Sequence, residues 1–251
     1  MGILYLETMT SPEVGQAIAD GHDTVVIPFG SLEQHGGHLP IGTDAMLGDE
    51  FGRRIAGRLN AFLVPTVRVG FADHHLPFAG TISVAKDTLR RVAVDYAHAL
   101  ARHGFRRIVF VPTHGGNFQP LVEAVEECRS ISGAKVMTVA SDFSRDVLRE
   151  GTVGVSMTFG ITPEESGAHA GEWETSIMLW LAPELVRMDD AASGYVGDMA
   201  EGVQRVLRDG VSLDQLAPNG VMGDPRKAQA ERGELYIEAL TNVALRVLDQ
   251  T

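Results

Sequence analysis

Residues 24–44 read Thr-Val-Val-Ile-Pro-Phe-Gly-Ser-Leu-Glu-Gln-His-Gly-Gly-His-Leu-Pro-Ile-Gly-Thr-Asp. The run 24–29 is apolar and β-branched, which predicts a buried strand. A Gly-rich segment follows at once and carries Glu33, His35, His38 and Asp44. Open α/β sheets bind ligands outside the carboxyl ends of their strands. This stretch therefore predicts an α/β protein with a polar site at one sheet edge.

The ionisable groups of this segment suit a divalent cation. Carboxylates and imidazoles together bind Zn²⁺, Mn²⁺ or Fe²⁺. Glu33 and His35 are two residues apart, so in extended backbone their side chains point the same way. Asp44 stands at an expected helix start, where it can also be an N-cap. Because so many ionisable groups in one loop are costly without a compensating cation, we interpret the segment as part of a metal-dependent enzyme.

The composition limits the partners. The net charge of −12 argues against nucleic acid or an anionic membrane surface, since both require basic patches. The single Cys128 excludes an intramolecular disulfide, and we interpret it as a thiol packed on a helix. The chain shows no signal-peptide pattern and no run of ~18 apolar residues, so we expect a soluble, cytoplasmic protein with a small-molecule substrate.

Strand-like and helix-like runs alternate along the chain. Expected strands cover 24–29, 61–69, 107–111 and 135–140, and expected helices cover 44–59, 86–103, 119–130, 171–181 and 226–248. The alternation predicts parallel pairing with helices on both faces of the sheet. The Gly-rich segment 143–165 is expected to be an active-site loop. No repeat or linker is visible, so residues 1–251 are interpreted as a single domain.

Two further groups of polar residues follow expected element boundaries. His114 comes directly after a strand and is expected at the same sheet edge as the first segment. His169 precedes a helix, and Glu174 lies in its first turns, where it can be a metal ligand or complement the helix dipole. Glu172 is interpreted as part of a solvated face, and Trp173 as a core or subunit contact.

These pieces, in this order, resemble the creatininase (creatinine amidohydrolase) family. The matching segments are 30–40 with Asp44, 79–83, 114–117, 169–176 and 218–225. The resemblance implies a three-layer α/β/α sandwich with a mostly parallel central sheet, and commonly a homohexamer. It also implies two divalent metal ions, Zn²⁺ or Mn²⁺, with Fe²⁺ as a further option.

The resemblance also implies roles for single residues. Glu33 and His114 correspond to ligands of one metal, His35 to a ligand of the other, and Asp44 to the bridging carboxylate. His169 corresponds to the acid/base residue near the substrate. Further candidates for substrate contact are His38, His75, Gly115 and Asn117.

The chain departs from the creatinine-hydrolysing members at two places. It has Gly115 and Gly116 where those enzymes carry an aromatic residue and a glutamate ligand, so Glu174 is our candidate for the missing carboxylate and a candidate catalytic residue. It has Glu165 and Ser166 where they carry a Trp-Asp pair. Both departures disfavour creatinine itself as the substrate.

We therefore expect an amidohydrolase that cleaves a C–N bond of a small cyclic amide, lactam or formamide with a metal-activated water. Within the family, a mycofactocin-precursor-type peptidase, a pyrimidine-formamide deformylase and an enzyme acting on oxidised inositols are alternatives. The motifs contain no arginine or lysine to hold a phosphate, which disfavours the deformylase. A non-catalytic metal- or small-molecule-binding protein is the alternative from another class.

Overall fold

A computed structural model describes residues 2–140 and 147–250. Within these residues, five parallel strands form one sheet in the order β1–β3–β2–β4–β5. They are β1 (Leu4–Tyr5), β2 (Thr24–Phe29), β3 (Phe62–Leu63), β4 (Arg107–Pro112) and β5 (Lys135–Thr138). β2 and β4 pair along their whole length, so the strands that precede the two histidine motifs are neighbours.

Helices connect the strands and cover the sheet. They are α1 (Ser11–Ala19), α2 (Thr43–Leu59), α3 (Lys86–Arg102), α4 (Phe118–Glu127), α5 (Val153–Thr158), α6 (Pro163–Ser166), α7 (Glu172–Leu181), α8 (Met199–Leu207), α9 (Leu213–Leu216) and α10 (Ala230–Gln250). A capping box between Thr10 and Glu13 starts α1. α2 ends where Asn60 adopts a left-handed conformation with φ of 50°, which asparagine tolerates.

Two apolar cores lie on opposite faces of the sheet because side chains alternate along each strand. Val25, Ile27 and Phe29 of β2 pack in one core with buried residues of α3 and α4. Val26 of the same strand packs in the other core with residues of α2, α7 and α10. The arrangement confirms the predicted α/β/α sandwich with a parallel central sheet.

Several expected boundaries were wrong. β3 has only two residues, because beyond Leu63 the regular pairing gives way to separate backbone hydrogen bonds, from Val64 to Val26 and between Val67 and β2. Most of the expected loop 143–165 is helical in its described part, with a π-helical turn (Val147–Thr152), α5 and α6, and only residues 159–162 form a turn between α5 and α6; residues 143–146 lie outside the described part. α10 begins at Ala230 rather than at residue 226, because Pro225–Lys227 forms a 3-10 turn.

The described ranges contain no helix that combines the length and the hydropathy needed to cross a bilayer. The sequence-based interpretation missed α1 and α8. In α8, the spacing of Val203, Val206 and Leu207 is the helical signal that was available.

Candidate metal centre

The motif residues meet at the carboxyl ends of β2 and β4. Glu33 and His35 follow β2, His114 follows β4, and Asp44 is the second residue of α2. The Thr113 hydroxyl donates a hydrogen bond to the Asp44 carbonyl oxygen at 2.7 Å, which fastens the start of α2 to the end of β4. Parallel pairing of the two strands therefore brings these side chains together, as the sequence predicted.

Carboxylate and imidazole atoms of the described residues converge in three sets; two of them share Asp44, and the third consists of Glu33, His35 and His169. The first set is Glu33, Asp44 and His114, and the second is His35, Asp44 and Glu174; within each set the possible ligand atoms lie within 4.8 Å of one another. His114 Nδ1 is 3.0 Å from Glu33 Oε2 and 3.4 Å from Asp44 Oδ2. His35 Nε2 is 3.5 Å from Asp44 Oδ1 and 3.7 Å from Glu174 Oε2. One carboxylate thus faces both candidate cation positions.

Buried atoms without hydrogen bonds show that these residues fit metal ions. Both carboxylate oxygens of Glu33, Oδ2 of Asp44 and Nε2 of His35 are buried and have no hydrogen-bond partner. Burying such groups without compensation is costly. Divalent cations between these atoms would satisfy all of them, and carboxylate and imidazole are the ligands that zinc and manganese accept.

The electrostatics favour positive charge at both positions. Burial is the largest influence on the pKa of His114 and lowers it, but the charge of Glu33 and the contacts with Asp44 together outweigh burial and raise the pKa to about 10. Burial likewise opposes the charged form of His35, yet the charges of Asp44 and Glu174 raise its pKa well above the usual value. Where no metal is bound, a proton on each imidazole would supply the positive charge that compensates the carboxylates.

Backbone carbonyl groups orient the two ligand histidines. A carbonyl oxygen only accepts, so His35 Nδ1 donates to Glu33 O at 3.1 Å, and its Nε2 faces Asp44. His114 Nε2 donates to Phe71 O at 2.9 Å and leaves Nδ1 towards Glu33 and Asp44. Such outer partners fix the ring orientation of metal-binding histidines.

Glu174 reaches the site from α7, whereas Gly116 has no room for a side chain. A Cβ at Gly116 would lie 2.1 Å from Phe71 O and 2.5 Å from His114 Nε2. Glu174, in the first turn of α7, enters from another direction and accepts a hydrogen bond from the Ala170 amide at 2.6 Å. Ala170 has a φ of 51°, a strained conformation that aims its amide at this carboxylate.

His169 and His75 lie beside Oε1 of Glu33, whereas His114 lies beside its Oε2. His169 Nδ1 is 3.7 Å and His75 Nε2 is 3.2 Å from Glu33 Oε1. An antiparallel bridge between the backbones of His169 and Met222 holds His169 in place. This contact explains why segment 218–225 is one of the segments that match the family. Burial and then the charge of His35 lower the pKa of His169 well below its usual value, which favours the neutral form of this imidazole.

Two of the four candidate substrate contacts do not line the cavity. His38 is buried and bonds through Nε2 to Thr175 Oγ1 at 3.0 Å. The Asn117 amide donates to Phe29 O and Gly30 O and so holds the end of β2. His38 Nε2 and the Asn117 amide have protein partners and neither residue lines the cavity, so the geometry supports a structural role for Asn117 and lends no support to substrate contact by either residue. Gly115 and His75 do line the cavity.

A cavity of about 220 Å³ opens from the cation positions. Its wall is mostly apolar and comes from α2, α4, α7, α8, α9 and α10: Leu47, Phe51, Phe118, Trp173, Val203, Val206, Leu207, Leu213, Ile237 and Leu240. Among its described lining residues there is no lysine or arginine. Sequence analysis missed this wall; Trp173, which it expected in the core or at a subunit contact, packs against the core and also lines the cavity.

The interpretation of Glu172 as a solvated residue was wrong. Its side chain is fully buried and accepts hydrogen bonds from Ser176 and from the hydroxyl of Tyr236 on α10. Arg232 Nε lies 3.3 Å from its Oε1. These partners compensate the buried charge and hold the start of α7, on which Glu174 is carried, against α10.

The chain is similar in sequence to characterised enzymes over nearly its whole length. A family model described as creatinine amidohydrolase matches residues 7–248. A mycofactocin precursor peptide peptidase of Mycobacterium ulcerans is 31% identical over 234 residues, which cover 89% of this chain and 84% of that protein. A creatinine amidohydrolase of Pseudomonas putida is 30% identical over 256 residues, with 94% and 92% covered.

Solved structures with a similar fold belong to the same family. A manganese form of a creatininase matches with a TM-score of 0.77 at 26% identity, and 98% of each chain is covered. A creatininase mutant of the zinc–zinc type matches with the same TM-score, also at 26% identity, and covers 100% of this chain and 99% of that one. Family model, relatives and solved structures agree, and the chain therefore belongs to the creatininase family of hydrolases.

Proposed function

We propose that this protein hydrolyses a carbon–nitrogen bond of an uncharged, largely apolar amide with the help of two divalent cations. Glu33, Asp44 and His114 would hold one cation, and His35, Asp44 and Glu174 the other. The observation that carries the proposal is the shared carboxylate: Asp44 belongs to both sets, and buried atoms of both sets lack hydrogen-bond partners. When bound, such a pair polarises a carbonyl group and lowers the pKa of water.

His169 would carry out the proton transfers of the hydrolysis. His169 is neutral and buried, and its Nδ1 faces Glu33 across 3.7 Å at the cavity wall. An imidazole in this position can take a proton from the attacking water and return it to the leaving nitrogen. Glu174 would act as a ligand, and its charge keeps His35 oriented.

The cavity supports a substrate class. An apolar wall without cationic residues does not compensate a phosphate or a free carboxylate, and it favours an aliphatic or aromatic group beside the scissile amide. A small cyclic amide, lactam or formamide that carries such a group fits this chemistry.

A short apolar peptide is the second candidate substrate. The apolar wall favours it, and the similarity to a mycofactocin precursor peptide peptidase supports it. The homohexamer and the cytoplasmic location remain predictions from the sequence.

The test combines metal content with turnover. Purified protein is treated with a chelator and reloaded with Zn²⁺ or Mn²⁺. It is then assayed against hydantoins, lactams, formamides and short peptides, each class offered with apolar and with charged groups. We expect the chelator to abolish hydrolysis, either metal to restore it, and the apolar compounds to be preferred.

Asp44→Ala serves as the matched inactive variant, because removing the shared carboxylate should empty both positions. Turnover that survives complete metal removal would refute the metal-dependent mechanism. A metal-loaded protein that cleaves no member of the panel would favour a binding protein instead.

A further inference from the structure

Gln34 stands in the chain between the candidate ligands Glu33 and His35. Its side chain is 6% exposed and lies among two imidazole rings and two backbone groups. The protons of this cluster can be assigned from hydrogen-bond chemistry, because backbone amides only donate and backbone carbonyl groups only accept.

The backbone fixes the orientation of the Gln34 amide. The Gly36 amide donates to Gln34 Oε1 at 2.9 Å. Gln34 Nε2 donates to Gly220 O at 3.0 Å. Exchanging the amide oxygen and nitrogen would place two donors together at Gly36 and two acceptors together at Gly220. One of the two Nε2 hydrogens is therefore used at Gly220, and one is left.

The Gln34 backbone sets the tautomer of His169. His169 Nε2 lies 2.8 Å from the Gln34 carbonyl oxygen. A lone pair on this nitrogen would face the lone pairs of the oxygen, so Nε2 carries the hydrogen and donates it. The contact of 2.9 Å between His169 Nε2 and Gln34 Nε2 is then not a hydrogen bond, because both atoms are donors. His169 Nδ1 is left to exchange a proton at the cavity.

The Gln34 side chain sets the tautomer of His75. The remaining Nε2 hydrogen points to His75 Nδ1, 3.0 Å away, which must accept it. His75 consequently carries its hydrogen on Nε2, the atom 3.2 Å from Glu33 Oε1. In this tautomer the His75 N–H, rather than a lone pair, lies beside Glu33 Oε1, although no hydrogen bond is formed between them, and Nε2 has no lone pair for a metal ion.

We propose that Gln34 is a positioning residue that holds His75 and His169 in the Nε2–H tautomer, the first through its side-chain amide and the second through its backbone carbonyl group. The side chain thereby keeps an N–H of His75, and not a lone pair, beside the Glu33 carboxylate. The backbone leaves His169 Nδ1 as the atom that exchanges a proton with the substrate. The tautomers follow from the hydrogen bonds alone, whereas their use in catalysis rests on the proposed function.

The tautomers can be measured without a substrate. Two-bond ¹H–¹⁵N correlation spectra of zinc-loaded, [¹⁵N]histidine-labelled protein report which ring nitrogen carries hydrogen, and His75→Gln and His169→Gln assign the signals. We expect both rings to carry hydrogen on Nε2 near neutral pH.

Gln34→Glu separates the two effects. The introduced carboxylate only accepts, so we expect His75 to change to the Nδ1–H tautomer, while His169 keeps its hydrogen on Nε2 because the backbone carbonyl remains. Zinc affinity should fall by about 10- to 100-fold, the range for the loss of a partner behind a metal ligand. Gln119→Glu makes the same exchange at an exposed glutamine and should change neither tautomer nor affinity.

Gln34→Met is the second variant, in case the added charge prevents folding. It removes the donor without adding an acceptor that faces His75, so we expect both tautomers of that ring in exchange. The inference is overturned if His75 carries hydrogen on Nδ1 in the unaltered protein, or keeps Nε2–H in every folded variant. If the tautomers follow as stated but no amide is cleaved, the proposed function fails and the positioning role stands.

Discussion

Replacing Glu174 with glutamine tests the second cation position by itself. Glu174→Gln keeps the length of the side chain and an oxygen that can accept the Ala170 amide, but it removes the negative charge 3.7 Å from His35 Nε2. Glu174 belongs to only one of the two sets that share Asp44. The variant should therefore weaken one cation position and spare the other.

The expected size follows from the geometry. Loss of a partner behind a metal ligand costs about 10- to 100-fold in affinity, and Glu174 is placed to bind directly, so its replacement should cost at least about 100-fold. That factor corresponds to about 2.8 kcal/mol. The first position should keep its affinity because Glu33, Asp44 and His114 are unchanged.

The assay is metal content by mass spectrometry after dialysis against zinc-buffered solutions over a range of free zinc. The unaltered protein should retain a pair of ions at concentrations where Glu174→Gln retains one. Glu172→Gln is the matched control: it lies on the same helix and is buried, but it contacts Tyr236 and Ser176 instead of the cation positions. It should lower stability and keep the pair.

Two results would refute this reasoning. If Glu174→Gln keeps both ions at unaltered affinity, the carboxylate is not a ligand. If it loses both ions while Glu172→Gln keeps them, the two sets do not bind independently.

Three further predictions concern other parts of the structure. His169→Ala should leave the metal content unchanged and lower kcat by about 10²- to 10⁴-fold, the range for general acid–base catalysis, and unchanged turnover would remove this residue from the mechanism. Gly116→Ala should displace the neighbouring imidazole and cost about 1–3 kcal/mol in urea unfolding, whereas Gly115→Ala, whose Cβ would meet only a leucine methyl group at 3.5 Å, should be nearly neutral. Burial raises the pKa of Glu50, but hydrogen bonds from two arginines outweigh burial and leave it below the usual value. Its contribution, less than about 1 kcal/mol, should be present at neutral pH and lost as pH falls through the folded pKa. Glu50→Gln should then unfold with a weaker pH dependence below about pH 5, and an unchanged slope would contradict the assignment.

The sequence predicted the local features of this protein well, because each depends on near neighbours. The apolar run 24–29 formed β2 as expected, and the spacing of apolar residues located α2, α3 and α7 within a few residues. The extent of β3 was not predictable, because a strand ends where its partners stop pairing and not where apolar residues stop. The helical turns after Val147 were missed because their pattern is weak.

Some features of the site could likewise be predicted from the sequence, and others could not. That Glu33, His35 and His114 meet could be inferred, since they follow parallel strands and such strands end at one edge of the sheet. The burial of Glu172 and the exposure of Trp173 to the cavity could not, because adjacent residues on one helix differ only in what packs against them.

The sequence by itself therefore determined the fold class, the family motifs and the residue types at the sheet edge, because hydrophobic periodicity and motif spacing depend only on the order of the residues. Only the tertiary structure decided that Glu174 lies beside His35 while Gly116 has no room for a side chain, that helices α8 and α9 give the cavity an apolar wall, and that Gln34 touches two imidazole rings. These are contacts between residues far apart in the chain, and their distances are set by the packing of helices against the sheet.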